Sequence, residues 1–192
     1  MKRRIILVAI CFSLILVTVA YGGDKTLWAS SDLMMRFTYN DRWEEVTPTQ
    51  DSTVVAISWL SRKSKGLMAT CYLQPKESSF GRLGAEDIHD QIDSVAKGIK
   101  KNTLKRSSEY KQILVEKRYV DNHPCIYLVQ TAKVKGLERD FSMKIYSLVT
   151  AWNKKEIMFS CVSEVPILYP DYKDFIEEEL VRVLRTIQFD RK

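Results

Sequence analysis

The chain has 192 residues, of which 28% are charged and 45% hydrophobic, and its formal net charge is +6. This length fits one domain that buries its own core, with no need for a structural metal or a dense disulfide framework. The sequence contains no glycine-rich nucleotide loop, G-x-S-x-G elbow or H-E-x-x-H pair. It therefore argues against the familiar nucleotide-binding, serine hydrolase and zinc protease sites.

The first residues have the pattern of an export signal. Basic residues 2–4 precede an apolar run at residues 5–17, and small residues follow it. The run is shorter than the roughly 20 residues that span a bilayer, which favours cleavage over retention as a membrane anchor. We predict that residues 1–22 are a signal peptide, cut before Tyr21 or Gly23, and that the mature protein is periplasmic or secreted.

The next residues contain no clear hydrophobic period. We predict a loose lead-in at residues 23–32, followed by a single α+β domain at residues 33–192. Loss of the three basic residues of the signal leaves a net charge of +3. An exported protein with this modest charge is predicted to bind no nucleic acid, whereas an anionic lipid or polymer surface fits the charge as well as simple solubility does.

The stretch RFTYNDRWEEVT, residues 36–47, combines an alternating run, a turn and a tryptophan. Alternation is typical of a half-buried strand, and Asn-Asp favours a turn. We interpret this stretch as architectural, with Phe37 and Tyr39 on the buried face of a strand and Trp43 closing the loop over them. Runs at residues 54–60 and 67–73 are rich in β-branched and aromatic residues, which predicts a hairpin.

The hydrophobic period then changes. From Ile88 to Ile99, apolar residues recur at intervals of three and four, which predicts an amphipathic helix over residues 84–104 with one buried face. Gly84 is the expected N-cap. The internal Gly98 lowers helix propensity, and we expect it to permit close packing there.

Four strand-like runs follow, at residues 110–120, 125–134, 141–152 and 156–162. Their connectors are too short for crossover helices, so we expect an antiparallel meander. A closing amphipathic helix is predicted over residues 172–186, with Asp171 as its N-cap. The predicted fold is α+β: about seven antiparallel strands with helices packed on the sheet, and both chain ends completing the core.

Several local patterns resemble Mog1/PsbP-like domains. They are the strand and loop with Phe37 and Trp43, the turn at residues 119–124, the hairpin at residues 152–160 and the closing stretch at residues 184–189. His123 stands where the family's turn usually has a glycine. The resemblance implies an α/β/α sandwich and a binding or assembly-assisting domain, not an enzyme.

Three cysteines remain after signal removal, at positions 71, 125 and 161. An oxidising compartment permits at most one internal disulfide among them, and the sequence leaves all three pairings open. The leftover thiol is expected to be buried, as free cysteines commonly are.

Asp121, His123 and Cys125 bring the groups of a cysteine hydrolase close together in sequence. Catalytic partners usually converge from distant segments, since adjacent residues of an extended chain point to different faces. We therefore predict no catalytic site here, but a hairpin turn followed by an inward cysteine. In this interpretation His123 contributes little to stability.

Two further patterns admit either a ligand-binding interpretation or an ordinary structural one. Glu86, His89, Asp90 and Asp93 share one side of the predicted helix and resemble a cation site, but no second histidine lies nearby. We interpret them as a solvated face with His89 at the surface. The stretch Gly81–Gly84 matches the GxxG of nucleic-acid-binding KH modules, and we interpret it as a loop. We predict no metal and no cofactor.

Basic and aromatic residues form the candidate interaction surface. The members are Lys97, Lys100, Lys101, Lys105 and Arg106 near a helix end, Lys154 and Lys155 at a hairpin tip, and the tryptophans Trp28 and Trp43. Exposed aromatics often anchor interfaces, and lysine clusters suit acidic partners or lipid headgroups. Trp59 is predicted to lie in the core.

The leading hypothesis is an exported, non-enzymatic domain that binds a protein of the cell envelope or assists an assembly there. The alternative is a binder of lipid or a small ligand in a groove between sheet and helix, and an enzyme ranks below both. A pocket with convergent polar groups favours ligand binding. An exposed aromatic or charged patch favours a protein partner.

Overall fold

The computed structural model describes residues 25–48, 52–60, 67–77, 85–134, 141–164 and 173–190. Its strands are β1 Lys25–Ser30, β2 Met35–Asn40, β3 Trp43–Val46, β4 Val55–Leu60, β5 Leu67–Glu77, β6 Glu109–Val120, β7 His123–Val134, β8 Phe141–Trp152, β9 Lys155–Glu164 and β10 Gln188–Phe189. Its helices are a 3-10 helix at Ala85–Gln91, α1 at Ile92–Leu104 and α2 at Lys173–Arg185.

Two antiparallel sheets organise these elements. The larger has seven strands in the order β3-β4-β5-β9-β8-β7-β6, and the smaller has the order β1-β2-β10. The predicted α+β class and the antiparallel meander from β6 to β9 are confirmed. The strand that contains Phe37 belongs to the small sheet, and β3 supplies the seventh strand of the large one.

The predicted loose lead-in is wrong. Residues 25–30 form β1, which pairs with β2 from Lys25↔Asn40 to Ser30↔Met35. Most side chains of β1 are exposed, so the strand has no alternation of apolar and polar residues to reveal it. Trp28 packs on Phe37 with ring centroids 5.1 Å apart and joins β1 to the core.

The large sheet is covered on both faces, which gives an α/β/α arrangement. On one face, α2 and the small sheet enclose the larger core; on the other, the 3-10 helix and α1 cover a smaller one. Alternate residues of β7 divide between the two cores, with Cys125 and Tyr127 in the larger and Ile126 and Leu128 in the smaller.

Phe37 lies at the centre of the larger core. Its side chain is 1% exposed, and its ring meets that of Phe159 at 4.9 Å in an edge-on arrangement. Tyr39 and Trp43 are also buried in this core. The architectural interpretation of residues 36–47 is confirmed for these aromatics, although Trp43 begins a strand and does not sit in a loop.

The cysteines form one disulfide, between Cys71 and Cys161, which are directly opposite each other on β5 and β9. Cys125 is free and buried, as expected for the leftover thiol. Burial raises the pKa of this thiol to about 12, so it stays protonated at neutral pH.

The helix ends and Gly98 differ from expectation. The helical segment starts with a 3-10 helix and becomes α-helical only at Ile92. Gly84 and Asp171, the predicted N-caps, lie outside the described residues. A Cβ atom at Gly98 would meet nothing within 4 Å, so the expectation of close packing there is wrong. Among the residues that the structure describes, no helix is long and apolar enough to cross a membrane.

Candidate binding groove

The basic groups of the predicted interaction surface lie far apart. The residues at the end of α1, including Lys100 and Arg106, are exposed and lie beside the start of β6. Lys154 lies in the turn between β8 and β9, and Lys155 begins β9. Both are at the opposite end of the sheet, because antiparallel pairing places this turn next to the one between β6 and β7. The fold therefore does not combine the two groups into one surface.

The tryptophans offer little exposed area. Trp43 is 3% exposed and faces the larger core, so its assignment to an exposed interaction surface is wrong. Pairing of β3 with β4 places Trp43 beside Trp59 and turns the ring inward. Trp28 is half-buried against Phe37. Trp59 is also only partly buried, which corrects its prediction as a core residue.

His123 is a structural residue and not a marginal turn residue. It begins β7, is 6% exposed, and has Nε2 3.1 Å from the carbonyl oxygen of Ala151. Its ring also packs against Trp152 and Phe189, with centroid distances of 4.8 Å and 4.5 Å. The expectation that His123 matters little for stability is therefore wrong, since distant elements bury a residue that local sequence places near a turn.

His89 is not a surface residue either. It is half-buried, and its Nε2 lies 3.1 Å from the carbonyl oxygens of both Arg118 and Cys125. Both partners can only accept, so Nε2 carries the proton and His89 ties the 3-10 helix to the hairpin of β6 and β7. Within the described parts of the chain, no three potential ligand residues gather as a metal site.

A groove with convergent polar groups lies between α2 and β8. Its volume is about 550 Å³, and its described lining consists of Tyr146, Glu177, Glu178, Val181, Arg182 and Arg185. The apolar stripe of α2, with Leu180, Val183 and Leu184, packs into the larger core. The groove-facing residues from Glu178 to Arg185 follow a second stripe at helical spacing, beside the apolar one.

Tyr146 forms the buried part of this groove. The residue is 4% exposed, and its hydroxyl oxygen is enclosed by the protein beside the Glu177 carboxylate. Burial, and then the nearby Glu177 carboxylate, raise the pKa of Tyr146, so its hydroxyl keeps its proton. Tyr146 therefore lines the groove, whereas its hydroxyl oxygen is enclosed by the protein.

The charged groups around Tyr146 are partly neutralised in pairs. Lys144 Nζ lies 2.6 Å from Glu177 Oε1, with both side chains largely buried. Arg182 Nη1 lies 3.0 Å from Oε1 of the buried Glu179. Within the described chain, Glu178 and Arg185 form no ion pair, and both are exposed. The groove therefore keeps one uncompensated charge of each sign.

No family model matches the chain, and no curated protein matches it either. Solved structures do match. The chain has the Mog1/PsbP-like fold. The cyanobacterial PsbP of Synechocystis is 15% identical, with a TM-score of 0.54 over 88% of this chain and 94% of that one. At such low identity the similarity shows the fold alone.

Two other proteins extend the comparison. The Ran-binding protein Mog1p of Saccharomyces cerevisiae is 6% identical, with a TM-score of 0.55 over 88% of this chain and 96% of its own. LpqN of Mycobacterium tuberculosis, which is involved in cell envelope biogenesis, is 8% identical, with a TM-score of 0.53 over 88% of this chain and 91% of its own. The Mog1/PsbP-like fold predicted from the sequence is confirmed.

Sequence reasoning missed the groove. Tyr146 lies in an apolar run that predicts a core position. The closing helix is predicted from its apolar side alone. The signal present in the sequence was the second stripe of α2, where Glu178, Arg182 and Arg185 recur at helical spacing. That stripe is also typical of an ordinary solvated face, and only the position of Tyr146 across from it distinguishes the two.

Proposed function

We propose that the protein is an exported, non-catalytic binding domain of the cell envelope that recognises another protein through the groove beside α2. The observation that carries the proposal is the groove of about 550 Å³, in whose lining Glu178 and Arg185 are exposed and form no ion pair within the described chain. A partner that places a charge of opposite sign beside each of these two residues would complement the groove electrostatically.

The groups in the groove favour binding over acid–base chemistry. Glu177 is held by Lys144, and Glu179 is held by Arg182 and also accepts a hydrogen bond from Asn40 Nδ2 at 2.8 Å. Tyr146 has a raised pKa and is therefore a poor base at neutral pH. Each of these groups is arranged to hold a fixed charge or a fixed proton.

The polarity of the groove also supports a protein partner over a lipid. Val181 is the only apolar aliphatic residue in the described lining, whereas sites for acyl chains are lined mainly by hydrophobic side chains. LpqN, which is involved in cell envelope biogenesis, and the Ran-binding Mog1p have the same fold. Their roles accord with the binding role proposed here. The export signal predicted from residues 1–22 gives the proposed compartment.

Capture from the envelope fraction of the native host tests the proposal. The tagged mature protein is compared with the double variant Glu178→Arg and Arg185→Glu, and with the matched control Lys154→Glu and Lys155→Glu. We expect the unmodified protein and the lysine control to retain a defined partner that the groove variant loses. Retention of no specific protein by any of the three would overturn the proposed function.

A further inference from the structure

We propose that strand β6 pairs with β6 of a second copy of this chain, antiparallel about a two-fold axis, so that two seven-stranded sheets become one. In this arrangement Lys111 of one copy lies opposite Glu116 of the other, and Glu109 lies opposite Arg118. The surface is separate from the groove, since β6 and β8 are divided by β7 in the sheet.

The outer edge of β6 is open to a further strand. β6 is the last strand of the large sheet, and among the described residues it pairs with β7 alone. An edge strand of 12 residues presents a row of backbone N–H and C=O groups that another strand can bind. At the middle of β6, the apolar side chains of Ile113 and Leu114 are 50% and 37% exposed. Backbone and side chains therefore both offer surface to a partner.

The charged residues of β6 indicate that the partner is a second copy. Glu109, Lys111, Glu116 and Arg118 are all paired with odd-numbered residues of β7, so they share one face of the sheet. A two-fold axis between positions 113 and 114 opposes Lys111 to Glu116 and Glu109 to Arg118, each pair occurring twice. A shift of this register by two residues would instead oppose Glu109 to Glu116 or Lys111 to Arg118. Like charges directly opposite each other destabilise a strand pair.

Ion pairs within each copy extend into this arrangement. Lys133 Nζ lies 3.5 Å from Glu109 Oε1, and Arg118 forms an ion pair with Glu116. Pairing of the copies joins these groups into a row of alternating sign. The row runs through Lys133 and Glu109 of one copy, Arg118 and Glu116 of the other, and Lys111 of the first. Such a network contributes more than an isolated pair of surface charges.

The β-bulge of β6 permits this register. Opposed residues of an antiparallel pair direct their backbone groups both toward each other or both away, and this direction alternates along a regular strand. A regular strand therefore opposes residues of its own copy only at an even separation, whereas Lys111 and Glu116 are five positions apart. The bulge between Gln112 and Leu114 lies between them and shifts the alternation by one residue. The irregularity thus brings the backbones of the two copies into phase.

The association is reversible. Each copy keeps both of its own cores, and one pair of edge strands buries less surface than a permanent dimer needs. The pair therefore forms in concentrated solution and separates on dilution. Ile113 belongs to neither core cluster, so its truncation affects the association and not the core of the dilute monomer.

Sedimentation velocity over a series of concentrations tests the proposal. We expect the unmodified protein to shift from monomer toward dimer between about 10 μM and about 1 mM, the range of weak complexes. Lys111→Glu and Glu116→Lys should each raise Kd at least about tenfold, because each substitution opposes like charges twice. The control Lys154→Glu makes the same change in net charge as Lys111→Glu and should leave the dimer unchanged.

A mixture of the two variants tests the register. Lys111→Glu in one copy opposed to Glu116→Lys in the other restores opposite charges, so an equimolar mixture should associate where each variant alone does not. Equal circular dichroism and Tm of all variants verify the fold. A monomer at every concentration would overturn the proposal and indicate that the charges and the bulge keep this edge unpaired. Dimers that both variants leave intact, or a mixture that stays monomeric, would overturn it as well.

Discussion

The two faces of the seven-stranded sheet are covered in different ways. One face is closed by a continuous segment, the 3-10 helix and α1, which places residues such as Ile88 and Val95 on a small apolar cluster. The other face is closed by β1, β2, α2 and β10, which come from both ends of the described chain, and it encloses the larger core.

This difference accompanies the position of the groove. A continuous amphipathic helix turns its whole polar side to solvent, and the lysines of α1 are exposed in this way. On the other face, α2 shares the cover with a small sheet, and the space between α2 and β8 remains as the groove. The groove thus lies on the face whose cover is assembled from separate parts of the chain.

The larger core should carry most of the stability. Phe37→Ala should lower the free energy of unfolding by about 3–5 kcal/mol, because truncation of a buried phenylalanine leaves a cavity. Denaturant unfolding measures this loss. The control Ile113→Ala changes a half-exposed residue of β6 and should stay within about 0.5 kcal/mol of the unmodified protein. A loss below about 1 kcal/mol for Phe37→Ala would show that this face is not the stabilising one.

The disulfide should stabilise the same face. Cys71 and Cys161 are 90 residues apart in sequence, and closing a long loop restricts the unfolded chain. The double variant Cys71→Ala and Cys161→Ala should lose about 3 kcal/mol. Cys125 should resist iodoacetamide in the folded protein, because its thiol is buried and protonated. Equal free energies of unfolding with and without the disulfide would contradict its stabilising role.

Substitution of the two histidines compares the stability contributed by the two faces of the large sheet. His123→Ala should cost about 2 kcal/mol, since it removes a buried hydrogen bond and two aromatic contacts. His89→Ala should cost about 1 kcal/mol, because the half-buried ring anchors the 3-10 helix through shared hydrogen bonds. Thermal and denaturant unfolding of both variants checks the order. A larger loss of stability for His89→Ala than for His123→Ala would contradict the greater contribution expected from the face with the larger core.

The smallest expected effect is a gain in stability from a substitution in α1. Gly98→Ala should stabilise the protein by up to about 1 kcal/mol, because alanine is the better helix former and the added methyl group meets open space. The groove should bind its partner equally well in this variant, since α1 lies on the opposite face. Destabilisation by Gly98→Ala would indicate a contact of α1 that the described residues do not make.

The long strands and both helices were predictable because their periods are set locally. Strands β6 to β9 combine long apolar runs with short connectors, and α1 and α2 carry clear apolar stripes. Strand β1 escaped detection because it is exposed along most of its length, and β3 because it has only four residues. Neither has enough alternation to form a pattern.

The site could not be predicted in the same way. Tyr146 has the sequence context of a core residue, and its place in the groove lining becomes visible only when β8 and α2 are placed together. His123 was underestimated for a related reason, since Trp152 and Phe189 bury it from other parts of the chain. In both cases, tertiary contacts determine the role of the residue.

Photo-crosslinking in the native host tests most directly whether the groove, and not the lysine-rich α1 face, is the binding surface. The photoreactive amino acid p-benzoylphenylalanine replaces Val181 in the groove or, as the matched control, Lys100 on α1. We predict that illumination links the Val181 variant to one discrete envelope protein and leaves the Lys100 variant without a crosslinked partner. Crosslinks from position 100 together with none from position 181 would contradict the assignment of binding to the groove.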